Sequence, residues 1–431
     1  MDPKSLYHYQ VQIAILKYKR DYYMYNEQIL QRRKLLAIIA ALSIIKETNK
    51  YKRKRFWISE LCQNRQDFGA FYKVYPIILN DSTMFRNYCR LTKEQFENLL
   101  ALLAPIIIKQ DAIRIPISPE ERLLLTLRYL ASGDSQVSMS YEFGVGTRTV
   151  SQIISETCKA LWTKLAPLVL PVPKSKDWEK SGNNFRHKWN FPNCVDAIDG
   201  KHVVIQAPQH SGSTYYNYKG SHSLVLLAIC DANYKFIVVD IGAEGRQSDG
   251  GIFKKSSIGQ ALINGEADLP PAKQIYEDGP ILPHILVDDE AFPLTTFMMR
   301  PYPGRGGLSV DQRIFNYRLS RARRMIESTF GILVSQWRIF RKPIIANVEN
   351  VHKIIEACVC LHNFIRDADA DNKNCEIELS DNYDTMSNLG GMRNVCRLGS
   401  NTHSREAAYV RDEFMMYFNE EGAVNWQFSK V

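Results

Sequence analysis

The stretch that decides the fold is Val195-Asp196-Ala197-Ile198-Asp199-Gly200-Lys201-His202-Val203-Val204-Ile205, which reads as a strand with an Asp-Gly pair at its centre. Ser223 to Cys230 is a second strand and Lys235 to Gly242 a third, with Asp231-Ala232-Asn233 as the hairpin turn between them. Ile285-Leu286-Val287-Asp288-Asp289 is a short buried strand that ends in acids. From Phe315 the pattern turns helical through Phe340, and again from Val348 to Asp367. Three antiparallel strands, a further strand and terminal helices describe an α/β domain, a mixed sheet flanked by helices.

Upstream, residues 85–165 read as helices. Thr92 with Gln95 three residues on is a capping-box signal. Ser118-Pro119-Glu120-Glu121 opens the next helix with Ser at N-cap and Pro at N1, and Gly133 ends it. Phe143-Gly144-Val145-Gly146 then leads into Thr147-Arg148-Thr149-Val150-Ser151-Gln152, a helix-turn-helix outline. In that geometry the last helix enters the major groove N-terminus first, so Thr147, Arg148 and Gln152 face DNA.

The expected organisation is a basic helical segment (1–60), a helical, helix-turn-helix-like region (61–170), a Pro-, Lys-, Ser- and Asn-rich linker (171–186), the α/β domain (187–367) and an acidic, partly loose tail (368–431) with a short helix near Arg411 to Phe418. Residues 1–60 hold thirteen Lys and Arg against five Asp and Glu, ending in Lys52-Arg53-Lys54-Arg55, a run that suits nucleic acid or nuclear import.

The whole chain has 431 residues, a net charge of +9 and 45% hydrophobic residues, which excludes collagen-like, disulfide-scaffold and wholly disordered classes. Its nine cysteines are scattered without a Cys-x-x-Cys, so a reduced intracellular compartment is the simplest expectation. Cys358, Cys360 and His362 read as helix core rather than a zinc site, and Trp178 and Trp337 as core. The longest apolar run, Leu35 to Ile45, is shorter than the ~20 residues of a membrane helix and reads as a buried or partner-facing helix; no membrane role is expected.

The chemistry is concentrated in four acids. Asp199 lies in the first strand, Asp249 in the turn Gly245-Arg246-Gln247-Ser248-Asp249-Gly250, Asp289 just past the fourth strand, and Glu327 on a helix four residues after Arg323. Hard carboxylate oxygens suit Mg²⁺ or Mn²⁺, and two such ions clamp the attacking and leaving oxygens of a phosphoryl transfer. Over 311–343 eight bases, Arg323, Arg324 and Arg338 among them, face two acids, as a phosphate-binding surface requires. Tyr215, Tyr216, Tyr218 and Lys219 interleave aromatics and charge and suit an unpaired base. His202 and His222 are expected to satisfy local hydrogen bonds.

These residues also carry a resemblance. Ala197 to Val203, Tyr216 to Ser223, Gly245 to Asp249, Asp289 to Leu294, Phe315-Asn316, Ser320 to Arg323, Ile326 to Leu333 and Leu361-His362-Asn363-Phe364 together resemble the PIF/Harbinger transposases and the Harbinger-derived nucleases, in order, over roughly 85–418. The resemblance implies an RNase H-like DDE nuclease domain, cleavage and strand transfer of double-stranded DNA at terminal inverted repeats, two Mg²⁺ or Mn²⁺ ions, a nuclear location and a Myb/SANT-like accessory protein; a homodimer stays open. It places the catalytic and metal-binding acids on Asp199, Asp249, Asp289 and Glu327. The third-acid motif of related bacterial transposases, Tyr-x2-Arg-x3-Glu-x6-Lys, keeps Arg323 and Glu327 here, with Ser320 for the Tyr and Val334 for the Lys. Topology favours Asp289 over Asp249 as the second core acid. The rival class is a non-catalytic DNA- or chromatin-binding protein domesticated from such a transposase; its mark would be a lost acid.

Overall fold

The computed structural model describes residues 3–52, 59–109, 116–304, 307–371, 391–394 and 404–430. Arg53 to Arg55 of the basic run, and Cys375 and Cys396, lie outside them. The chain forms two compact units, Met1–Gln63 and Asn64–Val431. In the first, α1 (Pro3–Lys52) is one long helix. Leu35, Leu36, Ile38, Ile39 and Leu42 of the apolar run are exposed on it, not buried as one of the two expectations had it. No helix among the described residues is long and apolar enough to cross a membrane.

The first unit ends with the short α2 (Glu60–Gln63), and the second opens with four short helices, α3 to α6 (Arg65–Phe68, Ala70–Lys73, Tyr75–Ile78 and Ser82–Cys89). Then come α7 (Lys93–Ile107), α8 (Pro119–Ser132), α9 (Gln136–Phe143) and α10 (Thr147–Val169). Their caps follow the sequence. Thr92 Oγ1 accepts from the Gln95 amide while the Thr92 amide donates to Gln95 Oε1, at 3.2 and 2.9 Å. Ser118 Oγ accepts from the Glu121 amide, and Gly133 ends α8 at φ 70°, a conformation that favours glycine. A three-residue turn, Gly144 to Gly146, joins α9 to α10.

The sheet comprises β1 (Cys194–Val204), β2 (Ser223–Cys230), β3 (Phe236–Glu244), β6 (Ile285–Val287) and β7 (Met298–Met299), in the order β3-β2-β1-β6-β7, with a two-residue pair β4 (Lys273–Gln274) and β5 (Ile281–Leu282) beside it. The first three strands run antiparallel, while β6 is parallel to β1 and β7 to β6. β8 (Met392–Asn394) pairs antiparallel with Lys201 to Val203, along the half of β1 beyond its β6 partner residues. Every residue of β1 and β2 is buried. One face contributes Ala197 and Val203 to the main core, and the other Val195 and Ile198 to a second core with α12 (Asp249–Lys255). After α13 (Ser257–Asn264), the long helices α14 (Val310–Gln336) and α15 (Val348–Asp371) complete the main core; α15 packs along α10, and α16 (Arg405–Asn419) along α14. The helical region and the α/β part therefore share a single core instead of standing as separate domains.

One expectation is corrected. The stretch read as a linker carries α11 (Ser175–Trp189). Trp178, Ser181, Gly182 and Phe185 recur at helical spacing and are buried facing β1, and the Trp178 indole donates to the Ala267 carbonyl at 3.0 Å. Small residues in the middle of that stripe hide it among Lys, Ser and Asn. In the tail, the helix expected near Arg411 to Phe418 is present as α16, whose Phe414 and Phe418 lie 5.7 and 4.8 Å from the Phe191 ring, between centroids; residues 372–390 and 395–403 lie outside the described residues.

Candidate active site

A carboxylate in the middle of a buried strand needs a partner, because desolvating it is costly. Asp199 is 5% exposed. Its Oδ1 accepts the Gly200 amide at 2.9 Å, and its Oδ2 lies 3.7 Å from the ammonium of Lys201. Burial, opposed by Lys201 and reinforced by the charges of Asp289 and Glu327, pushes its carboxyl up to about 6. In a strand, residues two apart share a face, and that periodicity is the signal by which Lys201 could have been found from the sequence. Lys201 is wholly buried, 5.6 Å from the Phe330 ring centre.

Asp249 opens α12 and is buried, its Oδ1 without a hydrogen-bond partner. Burial first, then the charges of Asp199 and Asp289, hold its carboxyl well above the usual range. The start of α12 is pressed against the Asp289 loop: a Cβ on Gly250 would meet the Ala291 carbonyl at 3.2 Å, and the rings of Phe253 and Phe292 pack edge to face. Asp289 follows β6 and is half-buried, its Oδ1 accepting the Ala291 amide at 2.8 Å. Glu327, on the inner side of α14, pairs with Arg323 one turn earlier at 2.6 Å. Burial lowers the Arg323 pKa, but Glu327, Asp199 and Asp289 outweigh it and raise it.

Asp199, Asp249, Asp289 and Glu327, supplied by β1, α12, the loop after β6 and α14, are thus brought into one electrostatic cluster. As they stand, no three His, Cys, Asp or Glu side chains among the described residues are close enough to share one ion. The donor set is nonetheless all hard oxygen, with an unpartnered buried oxygen on Asp249, and suits Mg²⁺ or Mn²⁺.

Asp288 stands immediately before Asp289 in the chain. It is fully buried, neither oxygen has a hydrogen-bond partner, and burial together with Asp289 pushes its carboxyl well up. Arg300, buried close by, donates to the Phe292 carbonyl at 3.2 Å and fixes the loop that carries Asp289.

The residues expected at DNA divide. Thr147, Arg148 and Gln152 are exposed at the opening of α10; Lys219 is exposed in the β1–β2 connection, 5.6 Å from the Tyr218 ring; Arg324 and Arg338 are exposed on α14 and the turn after it. Arg323 is turned inward to the acids. Arg318, one of the eight bases read as a phosphate surface, is buried: it donates to the carbonyls of Gly422 and Asn190 and to Gln427 Oε1, and lies over the Phe418 and Trp426 rings. His202 Nδ1 is 2.9 Å from Ser223 Oγ, so one ring nitrogen is satisfied locally while the buried Nε2 has no hydrogen-bond partner, and burial lowers the pKa to about 4.

Comparison with known proteins bears on the chain's relationships. Residues 198–363 match the family described as DDE superfamily endonuclease. The chain is 28% identical over 320 residues to the protein Antagonist of Like Heterochromatin Protein 1 of Arabidopsis thaliana, covering 70% of this chain and 77% of that one. It is 26% identical over 254 residues to HARBI1 of Homo sapiens, a protein named as a nuclease candidate, covering 57% of this chain and 67% of that one. No solved structure gives a significant match. Over residues 198–363 the chain thus resembles the DDE superfamily endonucleases, and over a longer stretch it is similar to the Arabidopsis protein and to HARBI1.

Proposed function

We propose that this protein is a metal-dependent DNA endonuclease of transposase descent, cutting phosphodiesters at the ends of an element and joining the freed 3′-hydroxyl to target DNA. The observation that carries the reading is four acids from four separate elements whose charges act on one another around Asp199 of the central strand. Like charges are costly to assemble, so the fold keeps them together for a use. Asp199, Asp249, Asp289 and Glu327 are the residues that would hold divalent cations. A bound pair of Mg²⁺ or Mn²⁺ supplies an activated water or hydroxyl and neutralises charge on the transferring phosphate.

The chain's own groups position the DNA. Arg324 and Arg338 receive the backbone near the cut; Lys219 and the exposed Tyr216 and Tyr218 hold a flanking or unpaired nucleotide; Thr147, Arg148 and Gln152 read the terminal repeat in the major groove. A Myb/SANT-like accessory protein, a homodimeric assembly and a nuclear place of work belong to the same reading. Domestication into a non-catalytic chromatin protein is the rival. The name of the Arabidopsis relative favours it, and the intact acid set opposes it.

The test is Mn²⁺ calorimetry together with nicking of supercoiled DNA, for the wild type, Asp199→Asn and Glu327→Gln. Both substitutions are expected to weaken Mn²⁺ binding and to lower cleavage about 10³-fold. Wild-type protein that binds no Mn²⁺ even with DNA present would hand the case to the chromatin reading.

A further inference from the structure

Two acids of the cluster, Asp199 and Glu327, have a cation of the chain beside them, and the other two feel the same charges. Lys201 lies against Asp199 and acts on Asp249; Arg323 pairs with Glu327 and acts on Asp199 and Asp289. Two cations therefore answer four carboxylates. They differ in freedom. Lys201 hangs from the centre of β1 with no exposed surface, between Asp199 and Phe330. Arg323 stands on a helix and keeps 18% of its side chain in solvent, beside the exposed Arg324. A guanidinium fork fits phosphate as well as carboxylate, so an arriving DNA strand competes with Glu327 for it.

We propose that Arg323 is a movable counter-charge that keeps the acids from taking up metal until a DNA phosphate draws it off Glu327, while Lys201 is the fixed counter-charge that holds Asp199 in place. The proposal rests on the metal-dependent reading above. Its consequence is linkage: DNA tightens metal binding, and metal tightens DNA binding by the same factor. A resting protein of this design takes up cations weakly without DNA.

The experiment titrates Mn²⁺ into the full chain by calorimetry, with and without a duplex of arbitrary sequence, for the wild type, Arg323→Gln, Arg323→Lys and Asp199→Asn. The duplex is expected to tighten wild-type Mn²⁺ binding about tenfold or more. Arg323→Gln is expected to reach that tighter affinity without DNA and to gain little from it, while Arg323→Lys, which keeps the charge, stays near the wild type. Equal Mn²⁺ affinity of the wild type with and without duplex overturns the proposal without recourse to any variant. So does Arg323→Gln that remains folded and binds Mn²⁺ no more tightly than the wild type. Asp199→Asn separates the two levels: if it abolishes Mn²⁺ binding while Arg323→Gln changes nothing, the counter-charge falls alone. If Asp199→Asn binds Mn²⁺ like the wild type, the metal reading falls and takes the counter-charge with it.

Discussion

Gly133 and Arg338 meet through bare backbone: a Cβ on Gly133 would fall 2.7 Å from the Arg338 carbonyl oxygen. The end of α8 and the basic turn after α14 are held together at this point. Gly133→Ala suffers twice, from its φ of 70° and from the missing space, and is expected to cost about 2–4 kcal/mol. Urea denaturation measures it; a loss under ~0.5 kcal/mol would mean that the two segments part freely.

Asn363 explains why Leu361-His362-Asn363-Phe364 is part of the resemblance without being part of the chemistry. Its side-chain amide donates to the carbonyls of Val169 and Phe236 and accepts the Phe236 amide, at 2.9, 2.7 and 2.9 Å. One buried side chain thus ties α15 to α10 and β3. Asn363→Ala strands three buried backbone groups and is expected to destabilise by about 3 kcal/mol or more. Mn²⁺ affinity of the folded variant should match the wild type; a specific loss of metal binding would move Asn363 into the active site.

Glu121 gives stability a pH dependence. It is buried, both oxygens lack hydrogen-bond partners, and Arg65 is 3.9 Å away. Burial, opposed by Arg65, pushes its carboxyl up from 4.5 to about 7. The folded state binds this proton more tightly than the unfolded state, so the contribution is fully present below pH 4.5 and is lost as pH rises through about 7. Relative to Glu121→Gln, the wild type should therefore lose up to ~3 kcal/mol between those limits. Unfolding curves for the two proteins at three pH values across that range check it, and parallel behaviour would contradict it.

Arg148 tests the helix-turn-helix reading. If the opening of α10 lies on DNA, Arg148→Ala should weaken duplex binding at every sequence and lower the slope of log K against log salt by about one. An unchanged slope removes α10 from the interface.

The positions of Asp199, Asp289 and Glu327 were legible because each sits on an element with a strong local pattern: an apolar strand, a strand end, a helix with Arg323 one turn away. Ser223 to Cys230 is read to the residue for the same reason. What the sequence hid is non-local. The burial of Asp249 depends on α12 docking against the loop after β6, and nothing in its own turn announces that contact. The stripe of α11 is built partly of Ser181 and Gly182, whose value lies in letting the helix approach β1. Arg318 looks like its basic neighbours until the carbonyls of Asn190 and Gly422 close over it.

The pairing of β8 with β1 sets a timetable for synthesis. Lys201 finds its cross-strand neighbour in Asn394, nearly two hundred residues further along the chain. Contacts so distant in sequence form late, and domains assemble as they leave the ribosome, N-terminal parts first. The strand that bears Asp199 and Lys201 is therefore finished only when the last tenth of the polypeptide has emerged. A nascent chain that has not yet reached Met392, however complete its acids, leaves the Lys201 to Val203 half of that border unpaired.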